Sequence, residues 1–347
     1  MRAKSREGGF SLLELIVAMA ITLIISGAIY GLMAGGQNAF RREPALTDRQ
    51  QNIRTAMALI QADLQIAGQG LGPMIQVFLA GNEQGPDTPT SVVDFSQGEK
   101  TDFLSLYSDT GMCPHVDLQD GNQAANGGNL NSTQSIPDCY PEDALVMVIY
   151  PGASGPALKP GFAHNIHAGD TKVNFPPGLQ PPAPFSLIQG VSDLDSPEVP
   201  IAIAVIEWVR WQIANEDPAC TSNCVPALYR TSSGGWDIVN GVLATPGTSD
   251  AWRLVARGVE DLQVRYRTAD GWFNDPPAIA NDYDNIVREV QVVLSARTTD
   301  PRIQGSTTEE GTTAVRGQLI SSASPRTALV HLANRPASPS PGGPAWR

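Results

Sequence analysis

The sequence predicts an α+β fold: one long N-terminal helix packed on a mainly antiparallel β-sheet head with long loops. Three observations carry this reading. Residues 10–34 form an apolar run in which 19 of 25 positions are apolar. A second apolar series continues beyond it at helical spacing. From residue 74 onward, short apolar runs alternate with stretches rich in Gly, Pro, Asn and Asp. Composition agrees: 17% of the 347 residues are charged, against about 25% in typical domains, while 33 are Gly and 28 Pro. These figures exclude a disordered polyelectrolyte, a coiled-coil rod and a multi-span membrane protein. The net charge of −12 gives no electrostatic case for nucleic acid as a partner.

The apolar run comes first. As a helix, 25 residues reach about 37 Å, enough to cross a hydrocarbon core of roughly 30 Å with some tilt. Arg2, Lys4 and Arg6 against Glu7 make the preceding segment net +2. Positive charge there favours a cytoplasmic N-terminus and an exported head. A secretory signal has the same polarity, but its apolar core is shorter, and Ala34-Gly35-Gly36 is a poor cleavage site. Glu14 stands inside the run, where a carboxylate costs several kcal/mol unless paired or protonated. An acid in that place points to a function and to a partner.

Next, Leu46, Ile53, Met57, Ile60 and Leu64 fall at intervals of seven, four, three and four. That spacing makes one stripe of an amphipathic helix over 37–67, with Arg49, Gln50, Arg54, Gln61 and Asp63 expected on its outer surface. Gly27, Gly31, Gly35 and Gly36 are places where the helix is weakened, and Pro44 is a kink position. The helix is expected to stop near Ala67, ahead of the glycines at 68, 70 and 72.

The head is assigned to residues 68–335. Strands are expected at 75–79, 103–107, 144–150, 201–213, 227–230, 262–266 and 286–297, with weaker ones at 315–320 and 328–332. Segments 81–100, 110–142 and 151–200 read as loops. The Pro/Ser/Gly-rich tail 336–347 is expected to be disordered.

Gly8-Gly9-Phe10-Ser11-Leu12-Leu13-Glu14 resembles the type III signal of the type IV pilin family. The resemblance implies that a prepilin peptidase cuts between Gly9 and Phe10, that residues 1–9 are a leader, and that Phe10 becomes an N-methylated terminus. It also implies that Glu14 neutralises the terminal amine of a neighbouring subunit during assembly. Loss of the leader would take its +2 away and leave a product of net −14. The family's partners would be other minor and major pilins, with residence in the inner membrane (head in the periplasm) before display on the pilus. A second resemblance narrows this: residues 254–266, containing Val259-Glu260-Asp261-Leu262-Gln263-Val264-Arg265-Tyr266, look like a segment of PilW-type minor pilins. Asp270-Gly271-Trp272, Asn281-Asp282-Tyr283-Asp284 and the strand from Val287 to Leu294 follow it as in that family. Residues 330–335 resemble its terminal strand. J-type pseudopilins of type II secretion carry similar elements. From the residues alone, 259–266 reads as a short helix turning into a strand, with Val259, Leu262, Val264 and Tyr266 inside.

Four cysteines, Cys113, Cys139, Cys220 and Cys224, all follow the apolar run, and an even number in an exported chain favours disulfides. Three pairings exist, and proximity favours Cys113 with Cys139 and Cys220 with Cys224. A 113–139 bridge would contribute about 3 kcal/mol in the chain-entropy model. His164, His167 and Asp170 read as loop residues rather than metal ligands, and the acidic groups at 117–120 and 281–284 lack calcium-loop spacing. No catalytic constellation, metal set or cofactor fingerprint emerges, so an enzyme is not expected. The long loops and the aromatics Trp236, Trp252 and Trp272, expected on the surface, leave a pilus-displayed adhesive or binding module as an alternative.

Overall fold

The computed structural model describes residues 11–71, 76–81, 101–119, 129–140, 145–152, 155–162, 169–174, 201–221, 224–237, 242–278, 282–299, 303 and 315–333. The leader, the Gly9–Phe10 bond, His164, His167 and the tail 336–347 lie outside the described residues.

Helix α1 (Leu12–Ile66) runs unbroken through Gly27, Gly31, Gly35, Gly36 and Pro44, and so is roughly 80 Å long. Ala67 caps it at the expected end, and Gly68 turns the chain at φ +73°. The Gly68 amide then donates to the Tyr107 carbonyl at 2.8 Å, tying the helix end to the sheet.

The strands follow in chain order as β1 (Phe78–Leu79), β2 (Leu104–Asp109), β3 (Val116–Gln119), β4 (Asn129–Ser132), β5 (Leu145–Gly152), β6 (Gly155–Phe162) and β7 (Lys172–Asn174). Then come β8 (Ile201–Asn215), β9 (Pro226–Thr231), β10 (Trp236–Asp237), β11 (Val242–Leu243), β12 (Arg253–Arg257), β13 (Val259–Arg267) and β14 (Trp272–Phe273). A 3-10 turn at Tyr283–Asn285 leads to β15 (Glu289–Arg297), β16 (Arg316–Ala323) and helix α2 (Arg326–Ala333). All paired strands are antiparallel.

Strand β8 is the spine of the larger sheet. Its first part is flanked by β3 and β5, its second by β2 and β9. The smaller sheet has the order β14-β13-β15-β16. Gly258, at φ +77°, carries the chain from one sheet to the other; a Cβ there would lie 2.6 Å from the Arg297 carbonyl oxygen. Thr101 and Asp102 join the sheets again: the Leu262 amide donates to Thr101 Oγ1, and the Val264 amide to Asp102 Oδ2, each at 3.0 Å.

Both sheets cover the second half of α1. Ile53, Ala56, Met57, Ile60, Leu64 and Ala67 are buried against Leu104, Leu106, Val209, Trp211, Leu228 and the inward residues of β13 and β15. Burial of each large side chain stabilises the fold by about 1.5–3 kcal/mol.

Several expectations need correction. Segments 110–142 and 151–200 are not loops throughout, since they hold β3, β4, β6 and β7. β6 carries Pro156 and Pro160, which cannot donate to a ladder, and it pairs with β5 alone. Residues 259–266 form a strand from the start. Val259 and Leu262 are both buried three positions apart because a β-bulge falls between Val259 and Asp261. That odd spacing mimics a helical turn. The terminal strand expected at 328–332, and the described part of that at 330–335, is helix α2. Ala328 and Leu332, four apart, face Tyr283 and Ile286, whereas Leu329 and Val330 remain exposed. Trp236 and Trp252 are core residues; Trp252 donates to the Ala244 carbonyl at 2.8 Å. Only Trp272 of that expected trio stands exposed.

Candidate functional site

The candidate site is the first half of α1. Its residues Leu12–Met33 have a mean hydropathy of 2.4 and none is buried, and this stretch is long and apolar enough to cross a membrane. Leu12 is 77% exposed and Leu32 78%. A water-facing surface of that kind is unfavourable by about 25 cal/mol per Å², so it calls for a lipid or protein cover. A Cβ on Gly27 or Gly31 would meet nothing within 4 Å. These glycines therefore serve no packing inside this chain. The Thr22 hydroxyl is satisfied locally, donating to the Ala18 carbonyl at 2.8 Å.

Glu14 is placed at the positive end of this helix. Ser11 is the N-cap: its Oγ accepts from the Glu14 amide at 3.2 Å, and its own amide donates to Glu14 Oε2 at 3.0 Å. This capping box satisfies two orphan amides, and the carboxylate complements the helix dipole. The sequence shows it as Ser-x-x-Glu ahead of an apolar run, a signal the reading of Glu14 as an intermolecular partner passed over.

The other half of the helix is tied to the head by a buried polar cluster. Asp63, expected on the outer surface, is buried on the packed face between Ile60 and Leu64. Its Oδ2 accepts from Trp211 Nε1 at 2.8 Å and from Arg230 Nε at 2.9 Å, and its Oδ1 accepts from an Arg230 terminal nitrogen at 3.0 Å. Arg230 also donates to Glu207 Oε1 at 2.9 Å. Burial works against the Arg230 cation, but its bonds to Asp63 and Glu207 outweigh this and hold its pKa above the usual value. A bidentate pair of this kind fixes both rotation and register of the helix. A second buried acid, Glu260, takes Arg316 at 2.5 Å and Arg297 at 3.8 Å, tying β13 to β15 and β16 across the smaller sheet.

The disulfides join Cys113 to Cys139 and Cys220 to Cys224, with Cα atoms 5.6 Å apart in each. The first closes the segment around β3 and β4, where Tyr140 donates to the Pro114 carbonyl at 3.0 Å. Burial pushes the Tyr140 phenol well above its usual pKa, helped by the nearby Asp109. Asp170 is exposed. Among the described residues no group of three His, Cys, Asp or Glu is placed to hold a metal.

Comparison with known proteins agrees with this geometry. Residues 4–30 match the prokaryotic N-terminal methylation motif. The chain is similar to the pilin-like protein PilA3 of Thermus thermophilus, 28% identical over 134 residues, which is 37% of this chain and 55% of that protein. The match thus spans about half the length of the relative. No solved structure matches. In its methylation-motif helix, apolar and exposed, on an antiparallel β head, the chain is similar to type IV pilin-like proteins.

Proposed function

We propose that this chain is a minor subunit of a type IV pilus, of the PilW type, that helps initiate assembly and sits at the tip. Prepilin peptidase cuts between Gly9 and Phe10, Phe10 is N-methylated, and residues 12–33 hold the chain in the inner membrane until assembly. In the filament the same apolar surface packs against the helices of other minor and major pilins. Glu14 then exchanges its contact with Ser11 for the terminal amine of a neighbour. One observation supports this above the rest: the half of α1 that the head leaves bare is apolar but for Glu14, Thr22, Ser26 and two glycines, while one face of residues 53–66 is buried under the head. The head of residues 68–335 is bulky, which suits low copy number and a terminal position. Pilus-dependent motility and adhesion are the traits it would affect.

The test is to replace Gly9 by Val and, separately, Glu14 by Ala, and count surface pili. Gly9→Val is expected to leave an uncleaved chain in the membrane, and Glu14→Ala a cleaved chain that fails to assemble. Normal piliation in both strains overturns the proposal. The V-E-D-L segment, shared with J-type pseudopilins, supports type II secretion as the second reading; a secretion defect with intact pili would select it.

A further inference from the structure

At its β14 end the smaller sheet turns part of one face away from the core. Along β13, Leu262, Val264 and Tyr266 point inward, so Arg265 and Arg267 point outward. Register sets Gln291 opposite Arg265 and Glu289 opposite Arg267, and β14 places Trp272 directly across from Arg267. The Trp272 ring centroid lies 5.8 Å from Arg265 Cζ and 5.9 Å from Arg267 Cζ, and the residue is 37% exposed. The two arginines differ. Arg267 pairs with Glu289 Oε2 at 3.1 Å. Arg265 has no carboxylate partner among the described residues, and its Nε is buried without an acceptor. In a chain of net −12, one half-buried cation thus has, among the described residues, an aromatic ring as its charge-compensating neighbour.

We propose that Arg265 and Trp272 form a site for an acidic polysaccharide. A sugar carboxylate meets the Arg265 guanidinium, a planar donor suited to two parallel hydrogen bonds. The apolar face of the same sugar ring lies on the exposed indole. Gln291 and the outward edge of β13 supply polar groups for ring hydroxyls. An acidic peptide offers the carboxylate but no rigid apolar ring for Trp272, which favours the sugar. The site does not depend on the chain entering a filament.

Retention of the detergent-solubilised full chain on immobilised polygalacturonate, dextran and polyglutamate tests it. Polygalacturonate is expected to retain the protein, and neutral dextran and polyglutamate are not. Trp272→Ala and Arg265→Gln should each weaken retention about tenfold or more, with thermal melting unchanged. Gln318→Ala, on exposed β16 of the same sheet, should leave it intact. No retention on polygalacturonate, equal retention on polyglutamate, or binding that survives both substitutions would overturn the proposal. Should Trp272→Ala melt early, Arg265→Gln decides alone.

Discussion

Residues 12–33 and 53–67 belong to one helix yet are written for different surroundings. The first stretch is apolar on every side and the head covers none of it. The second is apolar on one face only, and that face is covered by two sheets. The contrast separates two sources of helix stability. The outer half relies on local terms, namely backbone bonds, the Ser11–Glu14 box and the Thr22 back-bond, until something covers it. The inner half relies on tertiary burial and on the Asp63–Arg230 pair. Under the proposed function, a subunit that leaves a bilayer and enters a filament needs its outer half free of its own head.

The sharpest way to break the contrast is one substitution in each half. Ile60→Ala, at a wholly buried site, should destabilise the head by about 2–5 kcal/mol in chemical denaturation. Ile21→Ala, at a site 52% exposed, should change it by less than about 0.5 kcal/mol. Equal effects would mean that the two halves are not independent.

Asp63→Asn comes next. It leaves Arg230 with only Glu207 as a charged partner and should cost about 2 kcal/mol, below the range for fully buried pairs because Arg230 keeps some solvent. The double variant with Arg230→Met should recover part of that loss, as a denaturation cycle would show.

Ser11→Ala acts on the outer half alone. Loss of the cap should cost about 1 kcal/mol of local helix stability. Faster amide exchange in the first turn, with unchanged exchange at 53–66, is the expected signature.

The smallest effect is a pH dependence in α2. Burial holds the His331 pKa below 6.5, against the opposing pull of its contact with the Leu71 carbonyl. The folded state therefore binds a proton less readily than the unfolded one. The stability His331 supports is complete above about pH 6.5 and declines as pH falls towards the folded pKa. Melting temperature should drop slightly between about pH 7 and pH 5, and His331→Asn should flatten that slope.

Much of this was legible in the residues. The apolar run, the stripe from Ile53 to Leu64, the long strands near 103–107, 144–150, 201–213, 227–230 and 286–297 and the nearby cysteine pairs all follow from spacing and composition. What spacing misled on has physical causes. A bulge gave Val259 and Leu262 the separation of a helical turn, so a strand read as part helix. Ala328 and Leu332 lie in a segment short enough to read as a strand, and only their contact with Tyr283 and Ile286 makes it a helix. Trp236 and Trp252 sit among turn residues, which hides their burial under neighbouring strands.

Asp63 shows where the division falls. Hydropathy and periodicity alone determined that the apolar run 10–34 is long enough for a membrane-spanning helix, that the helix continues to near Ala67, and that one face of its second half needs a cover. Those properties depend on neighbours three or four positions apart, which a linear sequence displays. Whether a carboxylate on that face points to water or to a cation was decided by Arg230, 167 positions away, and by Trp211, 148 away. The same holds for Arg265, whose environment is set by strands on either side of its own. Long-range pairing exists only once the sheets close on the helix, because burial of a charge becomes affordable only beside its partner.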